Sequence, residues 1–186
     1  MNTPDLYFAV AIGIFCSTLV LIAGYYYVRG RRSTQAEWDD LFAKLAWIDR
    51  NNIAEVALDL VDESGQPKPT EDAVNLEPSQ LWRLIGGLEG LEVLEKNSDV
   101  LIDLAFYVQK WYPEALVIAE RLRLDARELK WHVARLRGAD RKGDLQVSFP
   151  FYAQRAVVRY YLMTRRVLSL YEAGNFSMLT ELQRAL

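Results

Sequence analysis

The residue types that usually transfer protons, attack substrates or bind metals are scarce in this chain of 186 residues. It contains one histidine, His132, and one cysteine, Cys16. The usual zinc ligand sets cannot form from so few histidine and cysteine side chains. Glu128 precedes His132 by one helical turn, and we interpret the two as a surface pair on a charged helix. The sequence therefore predicts no catalytic residue, no cofactor site and no metal site.

Motifs that mark enzymes are also missing. The nucleophile elbow, the dinucleotide fingerprint and the His-Glu-x-x-His zinc motif do not occur. The segment IGGLEG, residues 85–90, has closely spaced glycines within a predicted helix, but no Lys-Ser or Lys-Thr follows it, which excludes a phosphate-binding loop. Glu89, Glu92 and Glu95 recur at three-residue steps, as on a solvated helix face. The sequence argues against an enzyme, and an enzyme acting on a membrane substrate is kept only as a lesser alternative.

Charge is divided unevenly along the chain. Residues 33–114 contain 6 Lys and Arg against 17 Asp and Glu, a net charge of -11, whereas residues 115–186 contain 13 against 7, a net charge of +6. Cations at helical spacing in the basic half form a candidate binding face: Arg123, Arg127, Lys130, Arg137, Arg141, Arg155, Arg159 and Arg166. These rows could bind anionic lipid or an acidic partner, or pair with carboxylates of the acidic half. Nucleic acid is disfavoured because no zinc-finger spacing or RNA-recognition signature accompanies the cations.

The N-terminal part of the chain contains a long uncharged run. Leu6 to Val28 are 23 residues without a charge. As a helix they would rise roughly 34 Å, enough to cross a hydrocarbon core of about 30 Å. The preceding MNTPD lacks Lys and Arg, and no small-residue cleavage site follows the run. The sequence predicts one uncleaved transmembrane helix.

The flanks of this run predict its orientation in the cell membrane. Tyr25, Tyr26 and Tyr27 match the aromatic belt of a membrane interface, and Arg29, Arg31 and Arg32 follow them. No Lys or Arg lies on the other flank. The positive-inside rule then places a short N-terminal tail outside and the rest of the chain in the cytoplasm. Residues 1–32 are thus predicted to be the anchor.

Small residues recur along one side of the predicted membrane helix. Ala9, Gly13 and Ser17 follow at four-residue steps, and Gly24 lies close to the same line. Such a face lets a second helix approach closely, which favours a homo-oligomer or a membrane partner. The alternative is that glycine and alanine are simply common in membrane helices.

Residues 33–186 have the apolar periodicity of helices and no run of strict alternation. The predicted class is all-α, with about five to seven helices in a cytoplasmic domain and an acidic, proline-containing loop at residues 62–79. A helical run is expected from Pro113 to about Arg137, with a possible interruption at Asp125. Asp125 and Glu128 have the spacing of a capping box. A polar turn is expected at residues 138–148, before a long helix from about Pro150 to Gly174.

Five tryptophans fall on separate predicted helical segments: Trp38, Trp47, Trp82, Trp111 and Trp131. Most are expected in the core, because apolar rings at helical spacing usually pack there. Exposed ones would indicate a binding surface instead. Together with the anchor and the missing catalytic groups, this predicts a protein-interaction or accessory subunit of a membrane complex. A peripheral module that binds anionic lipid is the alternative.

Overall fold

The computed structural model describes residues 11–24, 37–68 and 76–186. Every regular element in these ranges is a helix, which confirms the all-α class. The chain divides into two compact units, Met1–Ala36 and Glu37–Leu186.

In the first unit, residues 11–24 form helix α1, and all fourteen are exposed to solvent. No helix in the described ranges is both long and apolar enough to cross a membrane, so the predicted transmembrane helix has no support from the structure. The ends of the predicted span, residues 6–10 and 25–28, lie outside these ranges. So do the predicted interface residues Tyr25, Tyr26, Tyr27, Arg29, Arg31 and Arg32, and Ala9 of the small-residue face.

The described part of the second unit contains seven helices, at the upper end of the expected number. In chain order they are α2 (Trp38–Phe42), α3 (Arg50–Leu60), α4 (Pro78–Ile85), α5 (Gly87–Val108), α6 (Ala115–Lys142), α7 (Leu145–Ala173) and α8 (Leu179–Ala185). Residues 69–75 of the predicted acidic loop lie outside the described ranges. Before them, the carboxylate of Asp62 accepts hydrogen bonds from Ser64 Oγ at 2.7 Å and from the Gln66 amide at 2.9 Å. These bonds close a turn at the start of the loop and lower the pKa of Asp62.

The three longest helices form the centre of the second unit. Helix α6 packs against α5 on one side and most extensively against α7 on the other. Their facing apolar side chains are fully buried, among them Leu101, Leu122, Val133 and Tyr160. Helices α3, α4 and α8 pack on α7, and α2 packs on α5. The predicted basic face therefore lies on two of the three helices that form the core.

Three of the predicted helix assignments were wrong. Helix α6 runs without interruption through Asp125 and ends only at Lys142, so the turn before α7 is far shorter than residues 138–148. Helix α7 begins at Leu145 and includes Pro150 in its second turn. The predicted helix through IGGLEG is instead broken, because Gly86 and Gly87 have φ of +80° and +65° and form the corner between α4 and α5.

Two glycines near the end of α6 should respond oppositely to substitution by alanine. Gly143 has φ of +80° in the turn to α7, where a side chain is strained, so Gly143→Ala should lower the free energy of unfolding by about 1 kcal/mol. Gly138 lies inside α6, and an added Cβ there meets no described atom within 4 Å. Gly138→Ala should raise the free energy of unfolding by about 0.5 to 1 kcal/mol. Urea unfolding of both variants in mild detergent measures the two signs, and equal signs would contradict this assignment of the turn.

Candidate functional site

Three of the eight predicted cations line the contact between α6 and α5. Lys130 Nζ lies 2.7 Å from Asp99 Oδ1. Arg137 bridges two carboxylates of α5, with Nε 3.1 Å from Glu92 Oε1 and Nη2 2.7 Å from Glu95 Oε2. The Arg123 guanidinium lies 4.4 Å from the centroid of the Phe106 ring and also pairs with Glu120 of its own helix.

The regular spacing of these contacts follows from helix geometry. Arg123, Lys130 and Arg137 are seven residues apart, which is about two helical turns, so they lie on one side of α6. Their partners on α5 follow in the reverse order, namely Phe106, then Asp99, then Glu95 and Glu92, as expected for antiparallel neighbours. Lys130 and Arg137 of basic α6 therefore pair with carboxylates of acidic α5, and Arg123 packs on its Phe106 ring.

Two further cations surround a buried carboxylate between α6 and α7. The Asp125 side chain is 4% exposed and pairs with Arg166, while Arg159 Nη1 lies 3.8 Å from its other oxygen. Arg159 also pairs with Glu128, at 2.8 Å. Burial raises the pKa of Asp125, and the nearby Arg166 partly offsets that rise. Asp125 thus links α7 to α6, which explains why it does not begin a helix.

The other three cations are arranged differently. Arg127, Arg141 and Arg155 are exposed, and none has an ion-pair partner within the described ranges. The Arg155 guanidinium instead lies over the Phe151 ring, 3.9 Å from its centroid. The eight cations predicted to share a binding face are thus divided between internal ion pairs and a smaller exposed group.

His132 is buried rather than on the surface, so its interpretation as a surface pair with Glu128 was wrong. The residue is 3% exposed and contacts the rings of Trp131 and Tyr152, with centroid separations of 5.0 and 5.8 Å. Its Nε2 is 3.8 Å from Glu128 Oε1, and neither ring nitrogen has a hydrogen-bond partner in the described part of the chain. Burial lowers the pKa of His132, with Arg155 and Arg159 acting in the same direction, against the opposing effect of Glu128. The imidazole is therefore held neutral.

This environment predicts an acid-sensitive stability. A histidine with a lowered pKa in the folded state binds its proton more readily when unfolded, so the free energy of unfolding should fall as the pH drops below about 6.5. Because His132 is the only histidine, His132→Leu should flatten this dependence between pH 7 and pH 5. Thermal unfolding of both proteins across this range measures the slope. An unchanged slope in the variant would assign the acid sensitivity to other groups.

Four of the five tryptophans are on the surface, contrary to the expectation that most lie in the core. Trp47 is 83% exposed, and the others range from 44% to 55%: Trp82, Trp111 and Trp131. Only Trp38 is half-buried, against Phe42 and Tyr171. Helical spacing did not predict this exposure, because a tryptophan at the border of an apolar helix face can extend its large ring beyond that face into solvent.

One group of exposed rings and arginines spans α6 and α7. The Arg135 guanidinium lies 5.0 Å from the centroid of the Trp131 ring, which packs against Tyr152 at 5.8 Å. Tyr152 contacts the neighbouring Phe151 ring at 5.0 Å, and Arg155 covers that ring. We call these five residues the Trp131 patch. Although both arginines were visible in the sequence, only the register of α6 against α7 brings their rings together.

Other surface features contain fewer chemical groups. A groove of about 830 Å³ between the start of α4 and the turn from α6 to α7 is lined mainly by apolar and small polar side chains, including Trp82, Phe149 and Pro150, and by one charged residue, Asp140. Gly13, Ser17 and Gly24 of the small-residue face are exposed on α1, and a Cβ added at either glycine meets no described atom within 4 Å. Within residues 11–24, 37–68 and 76–186, no group of three or more His, Cys, Asp or Glu is arranged to hold a metal ion.

Comparisons with protein-family models, with curated proteins and with solved structures found no match for this chain.

Proposed function

We propose that this chain is a single-pass protein of the cell membrane whose cytoplasmic helical domain binds another protein, as an accessory subunit of a membrane complex. The anchor in this proposal is the uncharged run from Leu6 to Val28, followed by three arginines. The exposed large apolar side chains of α1 support it, because a contiguous surface of this kind marks a site of contact with lipid or another protein: Ile12, Ile14, Phe15, Leu19, Val20, Leu21 and Ile22.

The observation that carries the protein-binding role is the exposure of four tryptophans on the second unit. Tryptophan and arginine dominate the few residues that supply most of the energy of protein interfaces. Trp111 has Lys110 above its ring at 3.9 Å, and Trp131 has Arg135, so both rings combine apolar area with a cation. A helical domain with such surfaces is suited to binding a partner.

The two alternatives have less support. The cations expected to hold the domain against anionic lipid are largely paired with carboxylates, and paired charges attract a membrane only weakly. A catalytic role would require His132 or a carboxylate group at the base of a pocket. His132 instead is buried among aromatic rings, with only 3% of its surface exposed. We therefore propose no enzymatic activity.

The proposal makes two measurable claims. The full chain should pellet with membranes and resist carbonate extraction, whereas a variant lacking residues 1–32 should not. A cysteine placed at residue 2 of a Cys16→Ala protein should be labelled from outside intact cells, and one placed at Gln66 should not. Recovery of the full chain from the soluble fraction would refute the membrane anchor. Labelling from outside at Gln66 alone would refute the proposed orientation of the anchor.

The partner claim is tested by purification of the full chain in mild detergent. It should yield a stoichiometric second protein or a homo-oligomer by light scattering. A strictly monomeric protein without a partner would refute an accessory role while leaving the anchor intact.

A further inference from the structure

We propose that the Trp131 patch is the partner-binding surface of the domain and that it binds a segment of another protein rich in carboxylates and apolar side chains. This inference rests on the proposed role in protein binding and adds the location of the surface and the chemistry of the partner. It follows from charge, ring geometry and exposure at one place on α6 and α7.

The arginines at and beside the patch form no ion pairs within the described ranges. Arg135 and Arg155 have no ion-pair partner in the described ranges, and neither does Arg127, which precedes Trp131 by one helical turn. By contrast, Lys130, Arg137, Arg159 and Arg166, on the same two helices, each have an acidic partner. Among the residues that the structure describes, these three cations thus have no ion-paired carboxylate, and an acidic partner would supply one.

The aromatic rings orient the two arginine side chains so that they can bind carboxylates. A guanidinium that lies over an aromatic face keeps its N–H groups free at its edge, where a carboxylate can accept two parallel hydrogen bonds. Arg155 at 3.9 Å from the Phe151 centroid and Arg135 at 5.0 Å from Trp131 both have such a position. Because the rings already restrict the arginine side chains, less conformational entropy is lost when a partner binds.

Apolar area is available between the two arginines. Trp131 is 48% exposed and Phe151 52% exposed. Val147, one turn before Phe151 on α7, is 86% exposed. A partner segment with alternating acidic and apolar side chains would therefore cover rings and cations together, which is the composition of a protein-binding hot spot.

A protein segment fits this surface better than a lipid bilayer does. Recognition of anionic lipid typically uses clusters of about four to eight Lys or Arg residues. The patch and its neighbour Arg127 supply three cations interleaved with half-exposed rings. This arrangement favours a few directed hydrogen bonds to carboxylates over the long-range electrostatic attraction that holds a protein at an anionic membrane surface.

The test is a calorimetric titration of the full chain in neutral detergent with a short peptide of alternating glutamate and leucine. We expect saturable binding at one site per chain that weakens with added salt. Arg135→Gln combined with Arg155→Gln should weaken it by about tenfold or more, since two charge-assisted contacts are lost. Trp131→Ala should weaken it as well. The matched control is Arg165→Gln combined with Arg184→Gln, which removes the same charge at exposed positions outside the patch and should leave the affinity unchanged.

Three results would overturn the inference. They are binding of the corresponding glutamine and leucine peptide with equal affinity, equal weakening by the control pair, and absence of peptide binding. Mixed micelles containing phosphatidylserine form a separate arm, and binding to them but not to the peptide would assign the patch to lipid. If a partner co-purifies stoichiometrically and the peptide fails to bind, the location and chemistry are wrong while the proposed function stands.

Discussion

Arg166→Ala is expected to lower the free energy of unfolding by about 3 kcal/mol, an effect larger than that of any other single substitution considered for this domain. The reason is the buried carboxylate of Asp125, which is 4% exposed and has Arg166 as its direct partner. Without that partner, the carboxylate keeps Arg159 at 3.8 Å and Arg121 beyond ion-pair distance, and its desolvation is poorly offset. Urea unfolding of the full chain in mild detergent measures the loss.

The adjacent arginine provides a matched control. Arg165 is exposed on α7 and donates a hydrogen bond only to Tyr161 Oη, at 3.1 Å. Arg165→Ala should therefore change the free energy of unfolding by no more than about 0.5 kcal/mol. A double variant with Asp125→Leu and Arg166→Met should recover most of the loss, because a buried ion pair can often be replaced by apolar residues of similar volume.

The pH dependence of the loss separates a stranded charge from a simple packing defect. Burial raises the pKa of Asp125, and Arg166 acts to lower it, so removing Arg166 should raise that pKa further. A carboxyl with a raised pKa in the folded state stabilises the fold while protonated and loses that contribution as the pH rises. The deficit of Arg166→Ala should therefore be smaller at pH 4 than at pH 7. A deficit independent of pH would mean that lost packing, not the charge, causes it.

Asp125 also shows what a single sequence could and could not predict. Apolar periodicity correctly gave an all-α class, because burial of one helix face is a local property of the chain. The spacing of Asp125 and Glu128 fits a capping box at the start of a helix, and it fits the interior of a continuous helix as well. Whether Asp125 caps a helix or forms an ion pair depends on α7, some 40 residues later. Only the tertiary arrangement brings Arg166 to Asp125 and carries α6 through that position.

The sequence predicted which basic residues lie on α6, but not which of them form ion pairs. The basic residues of α6 recur at helical spacing, and each one forms an ion pair or stays exposed according to the helix that packs against its side of α6. Those at 123, 130 and 137 meet α5, while Arg127 has no ion-pair partner in the described ranges. The tryptophans were misplaced because half-buried rings at the edge of an apolar face follow helical spacing as core residues do. His132 was misplaced in the opposite sense, because its contact with Tyr152 of α7 depends on the tertiary arrangement.

Asn97→Leu is expected to lower the free energy of unfolding by about 2 kcal/mol. Asn97 is fully buried on α5 and clamps the irregular segment between α2 and α3. Its Oδ1 accepts from the Ala46 amide at 2.9 Å, and its Nδ2 donates to the Ala46 carbonyl at 2.8 Å. Leucine is similar in size but leaves both backbone groups unpaired. Asn51→Leu, at an exposed position, serves as the control and should change stability by no more than about 0.5 kcal/mol.

Asn97→Asp distinguishes the loss of hydrogen bonds from the loss of shape. The carboxylate keeps an acceptor for the Ala46 amide. Its second oxygen takes the place of Nδ2, which in the unchanged protein donates to the Ala46 carbonyl and, at 3.4 Å, to Tyr160 Oη. A negative oxygen therefore faces the Ala46 carbonyl in the variant. Burial at this position should raise the pKa of the new carboxyl above its usual value of about 3.9. Its protonated form can donate to the carbonyl, so the stability of the variant relative to the unchanged protein should be highest at low pH and should fall as the pH rises through that pKa. Faster amide exchange confined to the segment around Ala46 should accompany the fall. A variant whose stability relative to the unchanged protein is the same at pH 7 as at pH 4 would show that the clamp does not depend on the amide donor.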